Sequence, residues 1–226
     1  ATASTYDAPN GLTTTTTYRR VTTSTLNGVP CTATSNCITV TVYPLLSLAL
    51  TPTPASCNGA SDGSILVDVT NGVANYAYSW VKTGGGVGNG SGISAEPFNI
   101  TGLAAATYTI TVTDGHSCTA TGSTTIIQPS ILVVSATPSL CNPLNNQYSV
   151  DVVVTWTNSP TTNITVVTDQ GGSATLNIAL GSSGTQTITI TGMTSNGVQN
   201  IDVTARFTLT CLNTKVDAYN APLDCR

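Results

Sequence analysis

The sequence predicts an all-β protein made of tandem β-sandwich modules. Three observations carry that expectation. Residues that favour helices are scarce: charged residues make up 7% of the chain and there is one Met, whereas ordinary soluble domains are about 25% charged. No window places apolar residues at i, i+3, i+4 and i+7, so no amphipathic helix is expected. The gap is filled by Thr, Ser, Asn and Gly, with Thr the commonest residue. Thr is β-branched and suits strands, and its hydroxyl keeps an outer face wet without charge.

Taken in chain order, the elements fall into two modules and a remainder. An immunoglobulin-like sandwich needs about a hundred residues, so the 226 residues hold two. Pro44 and Gln128-Pro129 mark the boundaries, because Pro cannot continue a ladder and holds its predecessor extended. The expected division is 1–44, 45–130 and 131–226. In the first segment Thr13–Thr25 and Cys37–Tyr43 read as two strands joined through Asn27-Gly28 and a loop, too little to bury a core alone. In the last segment strand patterns fall at Ser149–Thr157, Asn163–Thr168, Ala174–Leu180, Thr185–Thr191 and Val198–Thr210. Turn signals recur between them, at Asn158-Ser159-Pro160, Gln170-Gly171-Gly172, Gly181–Gly184 and Asn196-Gly197, which is a β-sandwich pattern. Trp156 is its expected core aromatic.

The middle segment is the most specific. It opens CNGASDGSILVDV at Cys57, passes through YAYSW at Tyr76–Trp80, and closes GLAAATYTITVTDGHSCTATGSTTIIQP at Pro129. Ser61-Asp62-Gly63-Ser64 is turn chemistry, since Asp bonds its own backbone and Gly accepts positive φ. Ile65–Val69 and Thr107–Thr113 then alternate as half-buried strands, and Asp114-Gly115 makes a second tight turn before Cys118. Tyr76, Tyr78 and Trp80 alternate onto one strand face, where they are expected to be core rather than a platform for stacking sugars. Together these pieces resemble the SprB repeat, a module of giant surface adhesins of gliding Bacteroidota. Two departures stand out: Asn75 where the family usually has Pro, and the glycine insert Gly84–Gly92. The stretch from Thr16 to Val42 similarly resembles the closing hairpin of Ig-like repeats common in such adhesins, whose earlier strands would lie upstream or come from a neighbouring chain.

Seven cysteines sit at 31, 37, 57, 118, 141, 211 and 225. With no Cys-x-x-Cys and one His, a tetrahedral zinc site is poorly supplied. A disulfide framework in an oxidising setting is the expected use. Cys57 and Cys118 bracket one module and form the natural pair. Cys31 and Cys37 would close the Thr32–Asn36 loop, unless Cys31 has a partner upstream. Among Cys141, Cys211 and Cys225 three pairings stay open, and the pole geometry of a Greek key favours Cys141 with Cys225. The odd count leaves at least one thiol without an internal partner.

Charge narrows the partners. A net charge of −4 and a single adjacent basic pair, Arg19-Arg20, do not make the basic stripe that nucleic acids require. No apolar run approaches eighteen residues, and Leu45–Leu50 is broken by Ser47, so no membrane insertion is expected. The chain has no initiator Met and no leader pattern, and reads as mature material or an internal fragment.

The residues offer no catalytic set and call for no cofactor. His116 has Asp114 and Ser117 beside it, but a working triad needs orienter and nucleophile on opposite sides of the imidazole. A solvated turn is expected instead. Gly84–Gly90 lacks the Lys and helix of a phosphate loop, so a mobile hairpin tip is expected, with surface contacts at Gly85, Gly88 and Asn89. Asp62 and Asp114 fall short of the six or more oxygens that Ca²⁺ wants and read as turn formers.

Two functions fit these features. One is a structural and adhesive segment of a large extracellular, cell-surface adhesin or filament, which the resemblance places in gliding motility with type IX export. Its partners would be neighbouring modules, copies in a filament, and polysaccharide or abiotic surfaces. The other is a non-catalytic accessory or glycan-binding module of a secreted enzyme. Neighbouring sequence discriminates them: more such modules favour the first, a hydrolase domain the second.

Overall fold

The computed structural model describes residues 9–208 and 210–223, and among them the chain is strand and turn without helix. Residues 9–44 carry β1 (Thr16–Tyr18), β2 (Val21–Leu26), β3 (Val29–Thr34) and β4 (Ile38–Val40). β1 pairs with β4, and β2 pairs with β3 in a separate two-stranded ladder. Asn27 and Gly28 turn that hairpin with φ of 48° and 83°, the two positive φ values a type I′ turn requires. Every residue of β2 and β3 is exposed. No core forms here.

The next strands close the first sandwich: β5 (Ser47–Thr53), β6 (Gly63–Thr70), β7 (Tyr76–Lys82), β8 (Val87–Ile93), β9 (Phe98–Leu103), β10 (Ala106–Thr113) and β11 (Thr119–Ile126). A three-stranded sheet β5-β6-β9 faces a four-stranded sheet β11-β10-β7-β8. Inward positions recur with period two, as a strand demands. Ile65, Val67 and Val69 from β6 meet Tyr108, Ile110 and Val112 from β10, all buried in one cluster.

The second sandwich comprises β12 (Ser130–Pro138), β13 (Gln147–Thr157), β14 (Asn163–Thr168), β15 (Ser173–Asn177), β16 (Gly184–Thr194), β17 (Ile201–Arg206) and β18 (Leu212–Tyr219). Its sheets are β12-β13-β16 and β15-β14-β17-β18. Counted from its own first strand, the order matches that of the first sandwich: strands one, two and five oppose strands three, four, six and seven. Val150, Val152 and Val154 from β13 pack on Ile164, Val166, Val203 and Ala205 from the facing sheet. Trp156 sits in this core at 6% exposure, and its indole N–H donates to the Ser182 hydroxyl at 3.2 Å.

The expected disulfides need correction. Cys57 is bonded to Cys211, not to Cys118, which is a free thiol. Strand length explains why. Cys118 precedes β11, at the pole where the 114–118 turn meets Val73. Cys57 follows β5, at the opposite pole, where Ala55 N–H donates to the Ile127 carbonyl at the far end of β11. An eight-residue strand at about 3.3 Å per residue separates the two, far beyond the ~7 Å Cα limit of a disulfide. Cys31 and Cys37 are also free and exposed. Cys31 lies within β3, opposite Ser24, so the expected Thr32–Asn36 loop is strand as far as Thr34 and the ladder carries the chain away from Cys31. Cys141 is disulfide-bonded; Cys225 lies outside the described residues.

Candidate functional site

The two sandwiches meet at a junction tied by a disulfide and by side-chain hydrogen bonds. β11 ends at Ile126 and β12 begins at Ser130, so three residues join them. The β5–β6 loop, carrying Cys57, lies at this pole of the first sandwich. The β17–β18 loop, carrying Cys211, lies at the facing pole of the second, beside the start of β12, where Val133 N–H donates to Asn213 Oδ1 at 3.0 Å. The Cys57–Cys211 bond spans the gap with Cα atoms 5.2 Å apart. Cys211 is buried, and Cys57 packs against the core of the second sandwich rather than its own.

Gln128 completes the join. Its side-chain oxygen accepts from Gly59 N–H at 3.0 Å and its amide donates to Asn58 Oδ1 at 2.6 Å. Its carbonyl accepts from the Asn158 side chain, across the junction, at 3.3 Å. One linker residue is therefore bonded to loops of both sandwiches. With the disulfide, the modules are tied at two covalent points, which restricts bending between them.

The other singled-out residues have structural places. Asp114 accepts backbone N–H groups from Val73, His116 and Cys118, so its carboxylate is spent on the turn and not on an imidazole. Burial pushes this carboxyl up, but those three donors and the nearby His116 outweigh it and hold it below the usual range. The His116 ring stacks on Tyr43 at 4.0 Å between centroids. The Asp62 carboxylate accepts from Ser56, which lowers its pKa. Among the described residues no cluster of His, Cys, Asp and Glu could hold a metal.

Tyr76 is buried, and Tyr78 and Trp80 pack against the same core. Trp80 meets Tyr108 edge-on at 5.2 Å, and Tyr78 stacks on Phe98 at 5.6 Å. The glycine insert is mostly strand. Only Thr83–Gly86 turns; Val87–Ile93 is β8, on the sheet edge. Gly85 sits in the turn with φ 91°, Asn89 is exposed, and Gly88 lies under Trp80, where an added Cβ would approach the ring to 2.5 Å. Sequence reasoning missed Cys211, Gln128 and Asn158 as junction residues. The Gln-Pro ending was visible, yet nothing local says which loops it will meet.

A depression of about 350 Å³ lies on the second sandwich and is lined by Tyr148, Gln170, Ser173, Thr191, Met193 and Asn196 among others. Tyr148 is its one titratable residue, so no acid–base pair converges there.

Residues 49–84 match the SprB repeat. That span runs from β5 into the β7–β8 turn, and so contains Cys57, part of the core of the first sandwich and the YAYSW strand. No curated protein matches the chain. Among solved structures, a segment of two fibronectin type III domains from chicken tenascin aligns at 14% identity, with a TM-score of 0.31, over 76% of this chain and 98% of that one.

Proposed function

We propose that this chain is a structural and adhesive segment of a large cell-surface adhesin or filament, serving gliding motility or surface attachment and exported by the type IX route. The observation that carries the reading is the SprB repeat at 49–84, set in a sandwich that is bolted to its neighbour by a disulfide. Disulfides persist outside the cell, in oxidising surroundings, which supports an extracellular location. The segment works as a spacer and a contact surface without catalysis.

Its outer faces suit such contact. On β10 and β11, Thr107 faces Thr125, Thr109 faces Ser123 and Thr111 faces Thr121, with hydroxyls 2.9–3.0 Å apart. These rungs fix hydroxyls along two strands that carry no charged residue. Each offers weak hydrogen bonding to polysaccharide or an abiotic surface, and linked copies along a chain multiply weak contacts into avidity. The test is to display the chain as one copy and as a multimer on glycan arrays and coated glass, beside hydrolase substrates. Binding that is negligible for one copy and strong for the multimer is the expected result. Turnover of any substrate overturns the non-catalytic reading, and tight one-to-one binding of a single glycan replaces spacer with lectin.

A further inference from the structure

We infer that the Cys57–Cys211 bond is a covalent load shunt, which carries tension past both sandwich cores and keeps them folded while the chain is pulled. The inference rests on reading the chain as a load-bearing segment, and it follows from where the two sulfurs sit. Cys57 lies in the loop that follows the first strand of the first sandwich, β5, with three residues between it and the strand's end. Cys211 comes directly before the last strand of the second, β18. When the chain is held ahead of β5 and beyond β18, the shortest covalent route runs along β5, across the sulfurs, and along β18. Residues 58–210 form a closed loop hung from that route and bear no tension.

The loop encloses nearly everything that makes the sandwiches stable. Twelve of the fourteen sandwich strands lie inside it, leaving only β5 and β18 on the load path. Those two add almost no slack, because a strand already rises about 3.3 Å per residue against a limit of ~3.3–3.6 Å. Without the sulfur bridge the same pull would enter at β5 and leave at β18 through every strand between. The enclosed separation of 154 residues would then release roughly 500 Å of chain. The three-residue linker and the Gln128 hydrogen bonds could not prevent this, since they lie inside the loop.

Single-molecule stretching of the full chain between protein handles tests the shunt. The oxidised chain is expected to lack the long extension, and adding a thiol reductant to the same tethered molecule should release roughly 500 Å. The Cys57→Ser, Cys211→Ser double variant, with Cys141 left oxidised, should extend at least about 250 Å further than the oxidised parent, from unravelling of the first sandwich. Should the variant fold poorly, the reductant arm still decides, since it starts from folded wild type. An oxidised parent that extends as far as its reduced form overturns the shunt, as does a double variant that extends no further than the oxidised parent. Neither failure touches adhesion, which is read by surface binding and not by force.

Discussion

Asp114 is 7% exposed, yet its carboxylate is held in its charged form. Three backbone donors surround it, and a carboxylate so placed has a folded pKa below its unfolded value of about 3.9. The stabilisation is therefore complete above that value and is lost as pH falls towards the folded pKa. Asp114→Asn is expected to lower the melting temperature near neutral pH, with the gap to the parent closing progressively as the pH falls below the unfolded value; a pH series of thermal melts checks both. Tyr108 supplies the other fixed point of this sandwich. Its ring is buried and its hydroxyl donates to the Ala104 carbonyl at 2.9 Å, the tyrosine-corner arrangement of β-sandwiches. Tyr108→Phe should cost about 1 kcal/mol in denaturant unfolding, the worth of one such bond.

Among the elements, β8 shows what the glycine run is for. Its residues alternate between exposed positions and positions facing inward, and two inward ones, Gly88 and Gly90, lie beneath Trp80 and Tyr78. A ring laid over a glycine covers backbone that would otherwise be wet, and helps pin an edge strand in register. Gly88→Val should displace the Trp80 ring and cost about 1–3 kcal/mol, the usual penalty of overfilling a packed site, visible as an earlier denaturation midpoint and a shifted tryptophan emission. Gly85, in the open turn with nothing near its missing Cβ, should not transmit such a change to Trp80. The β2–β3 hairpin makes the contrasting case: its turn is well formed, yet no facing layer buries either side.

For the whole molecule, the disulfide changes which parts stand or fall together. Closing a span of 154 residues removes chain entropy from the unfolded state worth about 5 kcal/mol in the loop-closure account, shared between two sandwiches. Cys211→Ala should therefore lower stability well beyond the ~1 kcal/mol of a typical point change, whereas Cys118→Ala, at a half-buried free thiol, should stay near that figure. Reduced and unreduced peptide maps check the pairing directly: a joined Cys57–Cys211 peptide is expected, and a Cys57–Cys118 peptide would reverse the assignment.

The fold class was legible without coordinates because alternation of side chains along a strand is a local property. Ile65–Val69 and Thr107–Thr113 declare their inner faces within a few residues, and the structure places them in β6 and β10. Strands with little apolar content were not legible: β11 reads TATGSTTI and earns its place only through pairing with β10. The same limit hid β3, whose residues stand exposed on both faces. The Asp114-Gly115 turn could be read because Asp bonds its own neighbourhood, but its third donor, Val73, lies 41 residues away. Disulfide pairing failed for a related reason. Bracketing a module in sequence says nothing about which pole each cysteine occupies, and β5 and β11 carry Cys57 and Cys118 to opposite ends. Only packing of the second sandwich against the first brought Cys211 to Cys57, across a separation that no local pattern records.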